Sequence, residues 1–311
     1  MQTTKAIADN TTYLPNLIIG GVPKAATSSL FRWLADHPDA LGSSVKETRY
    51  FVDRTSHTFD PDMNIATQDL DTYRQFFTAP ATQAPPKLVL EATPTYLYEH
   101  TALEYLPDLA SHPVMLFILR RPSAQIYSTY TYFTNNHIYM DPSIDFPRFV
   151  ELARDYAPEL DRNELLQNAL DNCRYAEHLE KWRRRIGPER MIVLLFEDLI
   201  RDPKSILKTI AGRLGIDPSF YDQYDFPAQN ETYRIRNTFL QSLNQRVRDL
   251  IPGSPLRDAL RAAYRQVNTD TNRPGLSYEE TQTLVGLDAE FADDNRRLAA
   301  EFGVDVSPWT D

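Results

Sequence analysis

Four short apolar runs alternate with segments of helical periodicity, and this alternation limits the possible folds more than any other feature of the sequence. Each run suits one buried strand, and the runs cover residues 17–20, 87–90, 114–119 and 191–196. Helical spacing occurs at residues 28–36, 123–133, 175–185 and 203–214. Strands that alternate with helices predict an α/β fold with a central parallel sheet flanked by helices.

The length of the chain and its loops favour a single domain. The 311 residues, 42% of them hydrophobic, suffice for one large α/β domain or two small ones. Loops at residues 79–86 and 270–275 are too short to serve as interdomain linkers. We predict an N-terminal extension over residues 1–15 and one domain over residues 16–311, with C-terminal helices, including residues 279–302, packed on its flank.

Charge and composition argue against several classes of function. The formal net charge of −10 disfavours a nucleic-acid partner, because such binding depends on basic surface, so any anion site must be local. The single cysteine excludes an internal disulfide and a Cys-rich metal site. The longest apolar stretch is too short to span a membrane, and the polar start lacks the core of a secretion signal. The expectation is a soluble, cytoplasmic protein.

The segment GGVPKAATSSL, residues 20–30, has the composition of an anion-binding loop. It joins the first predicted strand to the first predicted helix, whose first-turn N–H groups lack helical partners and carry the positive end of the helix dipole. Lys24 adds a cation, and Thr27, Ser28 and Ser29 add hydroxyl donors. The alternative is that Thr27 or Ser28 is only an N-cap and Lys24 a solvated loop lysine.

A second candidate anion element follows the third predicted strand. Arg120 and Arg121 end that strand, Pro122 begins a helix, and Ser128 lies about two turns into it. An arginine at the carboxyl end of a parallel strand lies where open α/β sheets bind ligands, and its guanidinium can bind a phosphate through two donors. Alternatively, the arginines are surface charges and Ser128 bonds to a preceding carbonyl.

Together the two elements resemble those of the sulfotransferases that use 3′-phosphoadenosine 5′-phosphosulfate (PAPS). The family loop P-K-x-G-T-T-x-L is similar to PKAATSSL at residues 23–30, and the family's Arg-x-Pro turn with a later helical Ser is similar to Arg120, Pro122 and Ser128. Further stretches resemble the heparan sulfate sulfotransferase branch and its bacterial relatives, namely KETRYF at 46–51, LVLEATPTYLY at 88–98, RRPSAQIYSTYTYFTNNH at 120–137 and MIVLLFEDLIRDP at 191–203. The resemblance covers residues 16–309.

The resemblance implies a P-loop-like sulfotransferase fold and a role for each matching residue. Glu47 matches the base that takes the acceptor proton, Lys24 the cation that stabilises the leaving phosphate, and His137 a histidine near the acceptor. Without the resemblance, Glu47 is a surface carboxylate paired with Lys46 or Arg49, and His137 a capping or solvent-facing histidine. No metal is implied. The residues implied to bind PAPS, or its product adenosine 3′,5′-bisphosphate (PAP), are Lys24, Ala25, Ala26, Thr27, Ser28, Ser29, Arg120, Ser128 and Arg273.

Several departures from the family pattern leave the acceptor open. Ala26 replaces the loop glycine, which puts a positive φ at that position in question. Arg49 replaces the histidine of E-x-H, and Ala92 replaces a lysine that some relatives carry near the acceptor. A glycosaminoglycan substrate therefore does not transfer, and a sugar, a phenol, a lipid-linked alcohol and an amine all remain possible. Oligomeric state is open, as is the choice of Arg234, Arg236 or Arg273 as the late nucleotide contact.

Two other functions compete with sulfuryl transfer. A nucleoside-triphosphate kinase or hydrolase is suggested by MIVLLFED at 191–198, a strand that ends in acids, but the chain lacks the G-K-[ST] that supplies the other half of a magnesium site. Glu197 and Asp198 are then expected to orient a loop or cap a helix. A non-catalytic nucleotide-binding module is the other alternative, although binding alone requires no base such as Glu47.

Overall fold

The parts of the chain that this computed structural model describes are residues 10–82, 84–136, 139–141, 143–160, 163–227 and 275–310, together with the backbone of two short strands. The strands are β1 (Asn10–Thr12), β2 (Leu17–Gly21), β3 (Ala40–Gly42), β4 (Thr78–Pro80), β5 (Leu88–Ala92), β6 (Val114–Leu119), β7 (Met191–Leu195), β8 (Arg234–Ile235) and β9 (Thr269–Asp270).

Five of these strands form a parallel sheet in the order β3-β5-β2-β6-β7. This confirms the predicted α/β fold with a central parallel sheet. β1 pairs antiparallel with β4, so the end of the predicted extension is part of a strand pair, and β8 pairs antiparallel with β9. The division into an extension and one domain stays a prediction.

Helices flank the sheet, and the four that were predicted between the strands are present, each within three residues of its predicted bounds. The residues predicted at 279–302 form two helices that are separated at Phe291, which is fully buried and has a φ of −87° and a ψ of 0°. The helices are α1 (Thr27–Ala35), α2 (Leu70–Arg74), α3 (His100–Tyr105), α4 (Pro122–Asn136), α5 (Phe146–Arg154), α6 (Glu164–Gln167), α7 (Tyr175–Ile186), α8 (Phe196–Arg201), α9 (Pro203–Leu214), α10 (Tyr278–Glu290) and α11 (Ala292–Phe302).

The register of the sheet determines where a ligand site can form. β2, β5 and β6 are almost entirely buried, and apart from Glu91 in β5 their sequences are apolar, which is typical of parallel strands covered on both faces. Ile19 is level with both Ala92 and Leu116, so the segments that follow β2, β5 and β6 leave the sheet at the same edge. This carboxyl edge is where open α/β sheets bind ligands.

The C-terminal helices pack on this layer. α10 contacts α4 and α5, and α11 contacts α7, and Leu287, Phe291 and Leu298 of this C-terminal segment are buried. Among the helices that the structure describes, none is long and apolar enough to cross a membrane.

Candidate active site

The loop between β2 and α1 leaves the start of α1 open to an anion. Lys24 and Ala26 both have left-handed backbone conformations, with φ of 65° and 59°. Ala26 is therefore the N-cap residue despite the absence of glycine, and since its side chain has no acceptor, no side-chain cap bond is made there. Neither Thr27 nor Ser28 is the N-cap. The N-cap side chain therefore does not compete with an anion for the first-turn N–H groups of α1, which lie at the carboxyl edge.

Arg120 joins the two predicted anion elements. Its Nη1 donates to the backbone oxygen of Lys24 at 2.9 Å, and its guanidinium lies 4.7 Å from the centre of the Phe196 ring. A second link runs from Gln125 Nε2 to the oxygen of Pro23, at 2.6 Å. The first turns of α4 are therefore attached directly to the loop. Ser128, on the same helix, is 8% exposed.

The Lys24 ammonium lies among groups that alter its affinity for a proton. Burial, together with the positive charge of Arg120, lowers the pKa of Lys24, and the nearby carboxylate of Glu47 partly offsets this. Nζ is 4.3 Å from the centre of the Tyr132 ring, a favourable cation–π distance. The structure thus brings Lys24, Arg120 and Glu47 into one electrostatic cluster.

Glu47 is held by two neighbouring cations. Lys46 Nζ is 2.8 Å from Oε1, and Arg49 Nη2 is 3.3 Å from Oε2, while the carboxylate side chain remains 34% exposed. Burial by itself would raise the pKa of Glu47, but the two ion pairs outweigh it and the pKa lies below its ordinary value. Both partners that the surface interpretation named are therefore present, and the carboxylate also lies within electrostatic range of Lys24.

A buried carboxyl group that contacts Thr48, the residue after Glu47, was not identified from the sequence. Glu91 of β5 is fully buried, and its Oε2 accepts hydrogen bonds from Thr48 Oγ1 at 2.6 Å and from the Tyr73 hydroxyl at 2.9 Å. Burial, only partly offset by these bonds, raises the pKa of Glu91 to about 7. The signal was available in the sequence, since a lone acid interrupts the apolar run LVLEA.

The same strand end also holds the loop that carries Glu47 through its backbone. The N–H of Ala92 donates to the oxygen of Lys46 at 3.2 Å, and the N–H of Arg49 donates to Thr93 Oγ1 at 3.2 Å. With the bond from Thr48 to Glu91, three hydrogen bonds connect the residues around Glu47 to the end of β5. The position of Glu47 is therefore determined by the sheet.

The remaining predicted site residues fall elsewhere. His137, Arg236 and Arg273 lie outside the described residues, and Arg234 is described only as backbone in β8. Within the described ranges, no three His, Cys, Asp or Glu side chains are grouped as metal ligands would be.

The parallel sheet and the loops at its carboxyl edge define an α/β protein with a P-loop-like fold, and comparison with known proteins identifies its family. Residues 14–240 match the family model described as the sulfotransferase domain. Because this match covers well over half of the chain, the chain belongs to the sulfotransferase family.

Individual relatives agree with this assignment. Heparan sulfate glucosamine 3-O-sulfotransferase 3B1 of Mus musculus is 26% identical over 221 residues, which are 71% of this chain and 51% of the relative. Bifunctional heparan sulfate N-deacetylase/N-sulfotransferase 3 of Homo sapiens is 24% identical over 214 residues, 67% of this chain and 23% of the relative. The chain thus spans about half the length, or less, of these curated relatives.

A solved structure shares the fold. The crystal structure of a sulfotransferase from Alicyclobacillus acidocaldarius superimposes with a TM-score of 0.66 at 22% sequence identity. The superposition covers 96% of this chain and 100% of that one. The predicted sulfotransferase fold is therefore confirmed.

Proposed function

We propose that this protein transfers the sulfuryl group of PAPS to a hydroxyl or amine acceptor. The observation that carries the proposal is the convergence of Lys24, Arg120 and Glu47 at the carboxyl edge, beside the uncapped start of α1. This site supplies both the cations that a nucleotide phosphosulfate needs and a carboxylate that can accept a proton.

The donor fits the anion loop. First-turn N–H groups of α1 suit the 5′-phosphosulfate, and Arg120 suits the 3′-phosphate through its paired donors. An anion close to Lys24 opposes the burial and the Arg120 charge that lower the pKa of the ammonium, so it favours the charged form. The donor-binding residues we propose are Lys24, Ala25, Ala26, Thr27, Ser28, Ser29, Arg120 and Ser128, with Arg273 as a further proposed contact.

The transfer itself requires one proton acceptor and one cation. The acceptor oxygen or nitrogen forms a bond to sulfur while the bond from sulfur to the bridging phosphate oxygen breaks, and that oxygen keeps the electron pair in PAP. Glu47, kept ionised by Lys46 and Arg49, takes the acceptor proton. Lys24 stabilises the charge that develops on the phosphate. As in phosphoryl transfer, positioning and electrostatics supply most of the rate enhancement. We propose His137 as a further residue beside the acceptor.

The two acids that follow β7 are occupied by hydrogen bonds and an ion pair, which favours sulfuryl transfer over a kinase activity. Glu197 accepts a hydrogen bond from the Arg121 N–H at 3.1 Å and another from Trp309 Nε1 at 2.8 Å. Asp198 is paired with Arg201 within α8. Glu197 therefore connects the turn after β6 to the C-terminal segment, as expected of a residue that orients a loop, whereas neither acid caps a helix: α8 has no side-chain cap, and Asp202 caps α9. For the acceptor we propose a carbohydrate as the first class to test, because the relatives named above are heparan sulfate enzymes.

The test is acceptor-dependent formation of PAP from PAPS by the wild-type protein and by Glu47→Gln, with carbohydrates screened first. We expect Glu47→Gln to lose turnover by at least about a hundredfold while PAP affinity is retained, because a general base contributes about that much. Glu151→Gln is the control, since Glu151 is also a carboxylate paired with an arginine, Arg148, although it is more exposed than Glu47. Full activity in Glu47→Gln, or no PAP formation by the wild-type protein with any acceptor, would contradict the proposal.

A further inference from the structure

Two consecutive arginines directly follow β6, and the structure gives them different partners. Arg121 forms a two-pronged ion pair with Asp288 of α10, with Nε 3.0 Å from Oδ1 and Nη2 2.8 Å from Oδ2. Ser123 Oγ also donates to Oδ1 of Asp288, at 2.5 Å. Arg120 instead donates to the oxygen of Lys24 in the anion loop. One arginine thus faces the C-terminal helices and the other faces the loop.

The backbone of this turn is held from two further sides. The carbonyl of Arg120 accepts a hydrogen bond from the Tyr175 hydroxyl at 2.8 Å, and the N–H of Arg121 donates to Glu197 Oε1 at 3.1 Å. Asp288 completes this set by fixing the side chain of Arg121. Paired donors to one carboxylate fix a guanidinium in orientation as well as position. A turn held at successive residues leaves little freedom for the Arg120 side chain that starts from it.

We propose that Asp288 is a positioning and specificity-determining residue for the 3′-phosphate of the nucleotide. By pairing with Arg121, Asp288 turns that guanidinium away from the loop and fixes the strand-to-helix turn, so that Arg120 is the arginine presented to the phosphate. This role rests on the proposed use of PAPS. Through Asp288, the C-terminal helix α10 contributes to recognition of the donor, in addition to its packing on α4 and α5.

The direction of the change in nucleotide affinity distinguishes a positioning role of Asp288 from an effect of its negative charge alone. Removing a carboxylate near an anion site makes the surroundings more positive, which by itself tightens binding of every nucleotide. Loss of positioning weakens only ligands that carry a 3′-phosphate, because the 5′-phosphate binds at the start of α1. Loss of general stability would affect both kinds of ligand alike. PAP and adenosine 5′-phosphate, which lacks the 3′-phosphate, therefore distinguish the three cases.

The experiment is calorimetric titration of PAP and of adenosine 5′-phosphate into the full chain and its Asp288→Asn variant. We expect PAP to bind about fivefold to tenfold more weakly, in the range of one charge-assisted interaction, and adenosine 5′-phosphate to change by less than about twofold. Glu290→Gln is the matched control, since Glu290 lies on the same helix, pairs with Arg154 at 2.8 Å, and has the same 29% exposure as Asp288. Both affinities should be unchanged in the control.

Unchanged or tighter PAP binding by Asp288→Asn would overturn the role, and so would an equal weakening of both nucleotides. Ser123→Ala, which removes one bond to Asp288 but keeps the ion pair, should show a smaller loss confined to PAP. This second variant keeps the role testable should Asp288→Asn fold poorly. Wild-type protein that binds no PAP would instead contradict the proposed function itself, and this role with it.

Discussion

Replacing Glu91 by Gln should change how the stability of the protein depends on pH. Glu91 is fully buried, and burial raises its pKa to about 7. The folded state therefore holds a proton on this carboxyl group at pH values where the unfolded chain has released it. Stability from such a group is fully present below pH 4.5, the ordinary pKa, and is lost as the pH rises through about 7.

The size of this loss follows from the two pKa values. Each pH unit between 4.5 and about 7 removes about 1.4 kcal/mol, so the full loss is roughly 3 kcal/mol. Between pH 5 and pH 8 most of it, about 2 to 3 kcal/mol, should be visible. Glutamine keeps an acceptor for Thr48 and Tyr73 but has no proton to lose, so this part of the pH dependence should disappear.

The assay is urea unfolding of wild-type and Glu91→Gln proteins at half-unit steps from pH 5 to pH 8. The free-energy difference between the two proteins should shift by about 2 to 3 kcal/mol in favour of the variant as the pH rises. Taking this difference cancels the contribution of Glu99, whose pKa is about 8 for a similar reason, burial. Glu104→Gln, on an exposed position, is the control and should follow the wild type. A pH-independent difference for Glu91→Gln would refute the reasoning.

Three shorter predictions concern the anion loop. Ala26→Gly should raise the free energy of unfolding by about 1 kcal/mol, because Ala26 has a φ of 59°, and a lower urea midpoint would contradict this. PAP affinity should begin to fall at a lower pH than it would with an ordinary lysine, because burial lowers the pKa of Lys24. PAP titrations from pH 7 to 10 should show a weaker dependence of affinity on pH for Lys24→Arg than for the wild type, and the same dependence in both proteins would contradict this prediction. Arg120→Ala should weaken PAP binding at least about tenfold, whereas Lys87→Ala, at the amino end of β5, should not weaken it. Equal PAP affinities of Arg120→Ala and the wild type would contradict the assignment of Arg120 to the site.

Much of the sheet was predictable because its strands are short, continuous apolar runs. β3 (Ala40–Gly42) was missed, since three residues carry too little pattern to register as a strand. The positive φ of Ala26 was also not predictable, because alanine disfavours that conformation and the surrounding loop imposes it.

The sequence predicted those features of the candidate site that follow from the parallel arrangement of the strands. Carboxyl ends of parallel strands lie at one edge, so Arg120 was expected where such sheets bind ligands, and the structure shows its contact with the Lys24 loop. Contacts between distant segments were not predictable in this way. The pairing of Arg121 with Asp288, 167 residues later, depends on how α10 packs, and the anchoring of Thr48 by Glu91 depends on the loop that folds over β5.

The most direct test of the central claim is calorimetric titration of the purified protein with PAP, alongside ATP with magnesium. We expect PAP to bind without added metal and more tightly than ATP, and this binding to be lost in Arg120→Ala. Binding of ATP only in the presence of magnesium, with no binding of PAP, would contradict the claim in favour of a kinase. Binding of neither nucleotide would contradict it in favour of a non-catalytic module.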